Sequence, residues 1–222
     1  MIIVYSVMIA GKTIRAILYL PLLAVYSSMH AQMPDTIAGE YYLQGVMEVA
    51  SGFKLNEDSS FAFFFSYGAV DRYGSGRWTR QADRVILNSF VHHDHDFSLL
   101  TGRTTTDHFI TIKISDKNSP LLQFVYCSLN TGDTILRAKT DAKGVVRFPV
   151  KKVQSIVLQF EFCPEKSSEF NFQNSTDNYF EFRFEPWMAE VNFSEYSLIR
   201  TKDGLNGHHP LLDDKEYLFV KQ

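Results

Sequence analysis

FAFFFSYGAVDRYGSGRW, residues 61–78, is the stretch from which the fold of this chain is read. Phe61, Phe63, Phe65 and Tyr67 alternate with Ala62, Phe64 and Ser66, the two-residue period of a β-strand. One face of that strand is wholly aromatic, and side chains of that size dominate the energetics of a core. An uncharged strand of this kind would template aggregation at a sheet edge, so it is expected to be central or covered. Gly74 and Gly76 then mark a turn or bulge with positive φ, and Trp78 opens the next strand.

Working outward, Glu40–Met47 and Gly52–Asn56 read as strands before the aromatic one, and Arg84–Ser89 as a strand after it. The short connections predict an antiparallel meander over residues 33–90. Residues 91–108 carry His92-His93-Asp94-His95-Asp96, Thr101-Gly102 and Thr104-Thr105-Thr106, and read as a loop or linker between domains. Alternation resumes at Phe109–Ser115. It continues through Leu121–Leu129, Thr134–Thr140, Val145–Val150, Ser155–Cys163, Phe180–Phe184, Ala189–Arg200 and Glu216–Lys221. Strands at this spacing, separated by Asn, Asp and Gly turns, predict a β-sandwich over residues 109–222. The expected class is all-β, an N-terminal antiparallel meander followed by a C-terminal β-sandwich.

The 222 residues are 45% hydrophobic and 14% aromatic, enough for one large β-domain or two small ones. A net charge of −3 and a pI near 6.2 leave no electrostatic footprint for nucleic acid or for an anionic membrane surface. Residues 1–31 read as a signal peptide. Lys12 and Arg15 precede the apolar run Ala16–Tyr26, and Ser27-Ser28-Met29-His30-Ala31 ends in a small residue suited to cleavage. Removing Lys12 and Arg15, with no acidic residue beside them, takes the charge from −3 to −5. The run is shorter than the roughly 20 residues of a membrane span, so the mature chain is expected to have no transmembrane segment. The expectation is a periplasmic or extracellular protein whose partner is another exported or cell-surface protein.

Two resemblances follow from particular residues. Phe53-Lys54-Leu55, Asp58, Phe61, Phe63, Gly76-Arg77-Trp78 and Val85-Ile86-Leu87 give the first half a pattern that resembles the lipocalin-like meanders of secreted bacterial proteins. Tyr67–Trp78 is also similar to a segment found in a group of exported bacterial β-proteins. Ile112–Ser115, Pro120-Leu121 and Thr140-Asp141-Ala142-Lys143-Gly144 before Val145–Phe148 give the second half a pattern that resembles the transthyretin-like or carboxypeptidase-regulatory sandwich. Such families imply binding or accessory roles. The roughly 60 residues of the meander are by themselves too few for the eight strands of a closed barrel.

Candidate chemistry lies in three places. His92, His93, His95 and Asp96 are ligand types suited to a divalent metal, the one cofactor the sequence suggests. On an extended chain, however, His93 and His95 face away from His92, Asp94 and Asp96, so closure needs a turn or outside ligands such as His208 and His209. The alternative is a solvated His-rich loop. Asp71, Arg72, Tyr73, Arg77 and Trp78 could line the mouth of a small pocket, and turn chemistry explains the same residues. Ser51 and Lys54 match a Ser-x-x-Lys spacing that works on a helix, whereas here it falls on a strand. Cys127 and Cys163 are either a cross-sheet disulfide or two buried thiols. The functions considered are an exported non-enzymatic binding or accessory module, a lipocalin-like binder of a small apolar ligand, and a metal-dependent enzyme using His92–Asp96.

Overall fold

The computed structural model describes residues 7–9, 12–14 and 36–222. Val7–Ile9 (β1) pairs antiparallel with Lys12–Ile14 (β2). Apart from that hairpin, the signal-peptide assignment and its cleavage point after Ala31 lie outside the described residues. Thr36–Gln222 forms a separate compact unit. Strands take 52% of the chain and helix 3%, so the class is all-β.

Five strands follow one another in the first part of that unit: Gly39–Leu43 (β3), Val49–Leu55 (β4), Ser60–Tyr67 (β5), Val70–Gln81 (β6) and Arg84–Ser89 (β7). Each pairs antiparallel with the next. Their turns carry the residues such turns require. Asp58 Oδ1 accepts from the Ser60 amide at 2.9 Å between β4 and β5, and Gly68 takes φ 59° between β5 and β6. β5 lies between β4 and β6, so the aromatic strand is internal to the sheet, as its sequence requires.

The chain then builds a sandwich of two four-stranded sheets. Its strands are Phe97–Arg103 (β8), Ile110–Ile114 (β9), Val125–Asn130 (β10), Ile135–Lys139 (β11), Val145–Phe148 (β12), Ser155–Phe160 (β13), Ser168–Asn171 (β14) and Tyr179–Phe184 (β15). The sheets run β11-β10-β13-β14 and β12-β9-β15-β8, and β9 and β15 are parallel. Ser119–Phe124 is a 3-10 helix with Pro120 in its first turn, so β10 begins at Val125 rather than at Leu121. Ile110, Ile112, Ile114, Val125, Leu129, Ile156, Leu158, Phe180 and Phe182 meet in one core between the sheets.

The last three strands, Tyr196–Arg200 (β16), Gly204–His208 (β17) and Glu216–Lys221 (β18), return to the first five. β16 pairs with β7 and β18 with β3, which closes an eight-stranded antiparallel barrel. The expected sandwich over residues 109–222 therefore loses its final strands to the barrel and gains β8 from the segment read as a linker. The reason is physical in each case. Alternation reports that a strand has one buried face but not which sheet receives it. β8 is an edge strand on which only Phe97 is buried, so it shows no alternation to read.

Phe53, Leu55, Phe61, Phe63, Val85, Leu87, Leu198, Leu205 and Phe219 fill the barrel. Phe193, on the segment leading from the sandwich into β16, enters among them. Its ring lies 5.3 Å from both Phe61 and Phe63 and 5.1 Å from Tyr196. Gly74 and Gly76 make room for this arrangement. Neither takes a positive φ, and both belong to the unbroken strand β6 rather than to a turn. A Cβ on Gly76 would stand 2.0 Å from the Asn88 carbonyl oxygen, and one on Gly74 2.7 Å from the Phe193 ring. They are glycines because of close approach.

Candidate functional site

Loops 44–48, 68–69 and 209–215 and the connections to the sandwich all leave the same end of the barrel. At that mouth the 209–215 loop folds inward. His209, only 4% exposed, lies beside Phe63 and Phe65 and stacks on Phe219. Its hydrogen bonds define one tautomer. The Leu211 amide donates to Nδ1 at 3.0 Å, so the proton sits on Nε2 and is donated to Ser51 Oγ at 2.9 Å. The Ser51 hydroxyl in turn donates to the Phe64 carbonyl at 2.8 Å. A histidine whose Nε2 already carries the proton cannot take one from Ser51, so the pair is a structural relay and not a nucleophile with its base. Lys54, three residues on, falls on the opposite face of β4 and donates to Glu40. Burial alone pushes His209 down to about 4, which keeps the ring neutral.

Beside this loop is a cleft of about 370 Å³ between the barrel mouth and the sandwich. The β5–β6 hairpin supplies Phe65, Tyr67, Val70 and Arg72, the turn after β13 supplies Phe162, Pro164 and Glu165, and the 209–215 loop supplies Pro210, Leu211 and Leu212. Arg72 points inward from β6 with its side chain 3% exposed. Its Nε donates to the Ala189 carbonyl at 3.0 Å, Nη1 to the Phe162 carbonyl at 3.3 Å, and Nη2 to the Glu165 carboxylate. One barrel arginine thus ties together the barrel, the β13–β14 turn and the strap that follows β15. Residues 189–191 run parallel to β6 at Tyr73, with the Val191 amide donating to the Tyr73 carbonyl at 2.7 Å.

Four of the five residues expected to line a pocket do not converge. Asp71, Tyr73 and Arg77 share the outer face of β6, with Arg77 over the Phe90 ring, whereas Trp78 faces inward and donates from Nε1 to the Asn56 carbonyl at 2.9 Å. Arg72, the fifth residue expected there, faces inward between Asp71 and Tyr73 and is the one that reaches a cleft. The strand period placed it there, but a lone arginine among turn-like residues gave no sign of burial.

The histidine cluster also disperses. His92 is exposed, His93 stacks on Trp187 at 4.0 Å, and His95 stacks on Phe170 and bonds the Glu169 carbonyl at 3.0 Å. Asp96 accepts from Lys166 at 2.7 Å in a buried ion pair. Among the described residues no three His, Cys, Asp or Glu side chains are placed to hold a metal ion. His93, His95, Phe170, Glu185 and Trp187 do line a second cleft of about 370 Å³ at the edge of the sandwich. Cys127 and Cys163 are both free and buried, not bridged. Burial pushes them up to about 12 and about 11, which leaves both as unreactive thiols. Among the described residues no helix is long and apolar enough to cross a membrane.

No protein-family model, curated protein or solved structure matches the chain at a significant level.

Proposed function

We propose that this protein is a non-enzymatic binding module acting outside the cytoplasm, and that it takes a small apolar ligand in the cleft between barrel mouth and sandwich. The observation that carries the reading is the cleft itself. Its volume falls within the range of ligand pockets, and its walls are apolar side chains from three separate segments with one charged pair among them. The leader-like residues 1–31 support export, and the lipocalin-like pattern of the first half supports binding over catalysis. The Ser51–His209 relay, protonated the wrong way for nucleophilic chemistry, supports the same choice.

The test is a fluorescence titration with N-phenyl-1-naphthylamine, an uncharged apolar probe. Saturable binding at one site is expected. Leu212→Asp, which sets a carboxylate into the apolar wall at a partly exposed position against the barrel core, is expected to weaken it by about tenfold or more in a variant whose far-UV circular dichroism shows it folded. A wild-type protein that gives no saturable signal, or a Leu212→Asp variant that binds equally well, defeats the proposal.

A further inference from the structure

The Arg72–Glu165 pair is unequal in a way that points to the ligand's chemistry. The Arg72 guanidinium is almost wholly withdrawn from water, so it must keep an anion beside it. The anion it has is far more exposed than the cation: the Glu165 side chain is 38% exposed and comes from the turn between β13 and β14. Two of the other Arg72 contacts are main-chain carbonyls, of Ala189 and Phe162, which fix the guanidinium in place whatever Glu165 does. Lys166, next to Glu165 in the chain, is occupied by Asp96 and the Trp187 carbonyl. The guanidinium is therefore the cationic group that the cleft offers, and both members of the pair line it.

We infer that the cleft takes an apolar carboxylate, whose head group replaces Glu165 on Arg72 while its hydrocarbon body lies against Val70, Phe162, Leu211 and Leu212. The inference rests on the cleft being the ligand site. Exchanging one carboxylate for another leaves Arg72 paired, in the two-pronged geometry that guanidinium groups favour. The released Glu165 is already part-way into solvent, so its hydration costs little to complete. The net driving force is then burial of the hydrocarbon, roughly three- to fourfold in affinity per methylene until the cleft is full. Glu165 acts as an internal stand-in that keeps the buried cation neutral while the site is empty.

The experiment compares decanoate with 1-decanol by isothermal titration of the full chain at pH 8, in wild type, Glu165→Gln and Arg72→Met. Decanoate is expected to bind about tenfold more tightly than decanol. Glu165→Gln removes the competitor at a part-exposed position and is expected to tighten decanoate by about another tenfold while leaving decanol unchanged. Arg72→Met is expected to bring decanoate down to the level of decanol; Glu165→Gln supplies the decisive reading if that variant does not fold. Equal affinities for decanoate and decanol in both wild type and Glu165→Gln overturn the carboxylate assignment and leave the apolar cleft standing. Failure of both compounds to bind overturns the cleft and this inference together.

Discussion

Inside the barrel, rings hold half of the buried core positions. Phe53, Phe61, Phe63, Phe193 and Phe219 meet around the axis, with Phe53 5.0 Å from both Phe63 and Phe219. Inside the sandwich branched aliphatic chains, from Ile110 to Leu158, make up just over half of the buried core and share it with Phe97, Phe148, Phe160, Phe180 and Phe182. Two facing sheets interdigitate along their whole length, so loss of one side chain is shared among many neighbours. A small closed barrel has a single axis, and a few large side chains must fill it. The two halves also treat polarity differently. The barrel sets a neutral His209 and Ser51 among its rings and buries one arginine, Arg72, at its mouth against a carboxylate from outside it. In the sandwich both members of the ion pair of Asp96 and Lys166 are buried, joining the segment before β8 to the turn before β14.

This contrast can be broken most forcefully at Phe63. Phe63→Asp sets an unpaired carboxylate on the barrel axis and is expected to cost more than about 4 kcal/mol, unfolding the barrel. The two tryptophans separate the halves, because Trp78 packs against the barrel core and Trp187 lies beside His93 at the sandwich edge. In a Trp187→Phe background the emission of Trp78 should report the collapse; a variant melting near wild type would sink the assignment of this strand to the core.

A smaller effect is expected from pH. His209 has its folded pKa lowered to about 4 from 6.5, so between those values the unfolded chain binds a proton that the native chain refuses. Stability contributed by the neutral ring is complete above pH 6.5 and is lost as pH falls towards 4, by about 3 kcal/mol in all. Urea unfolding at several pH values should show this slope, and His209→Gln should remove it. A wild-type slope that persists in the variant would move the effect elsewhere.

The smallest effect sharpens the comparison most. Gly76→Ala drives a Cβ onto the Asn88 main-chain oxygen and is expected to cost about 1–3 kcal/mol. Gly102→Ala, on edge strand β8 of the sandwich, crowds the movable end of Asp177 and meets the Phe180 ring at an ordinary 3.6 Å, and should stay within about 0.5 kcal/mol. Equal losses at the two positions would contradict the view of the barrel as the less forgiving half.

What the sequence revealed depends on how far apart the interacting residues lie. Phe61, Phe63 and Phe65 announced a buried face because strand period is local, and the same rule carried the all-β class. Nothing local told β16–β18 to join β7 and β3 instead of the neighbouring sandwich, since pairing partners leave no mark on alternation. Gly74 and Gly76 were ambiguous for a related reason: a glycine demanded by a crowding neighbour looks the same as one demanded by a turn. Arg72 and Glu165, remote in sequence, became a site only once the fold had brought them together. His209 had a fainter signal, in that Pro210-Leu211-Leu212 follows it and three such residues are more apolar than an ordinary surface loop.

The insertion of the sandwich between β7 and β16 also sets an order of assembly. Synthesis runs from the N-terminus, so β7 exists long before its partner, and residues 90–195 must be made first. The sandwich strands, contiguous in the chain, can find one another during that interval. Barrel closure is left as the late step of high contact order. Throughout the wait the open edges of the half-built meander are β3 and β7, while β5 is flanked from the outset by β4 and β6, its nearest neighbours in the chain. The strand with the greatest tendency to aggregate is never the one left waiting at an edge.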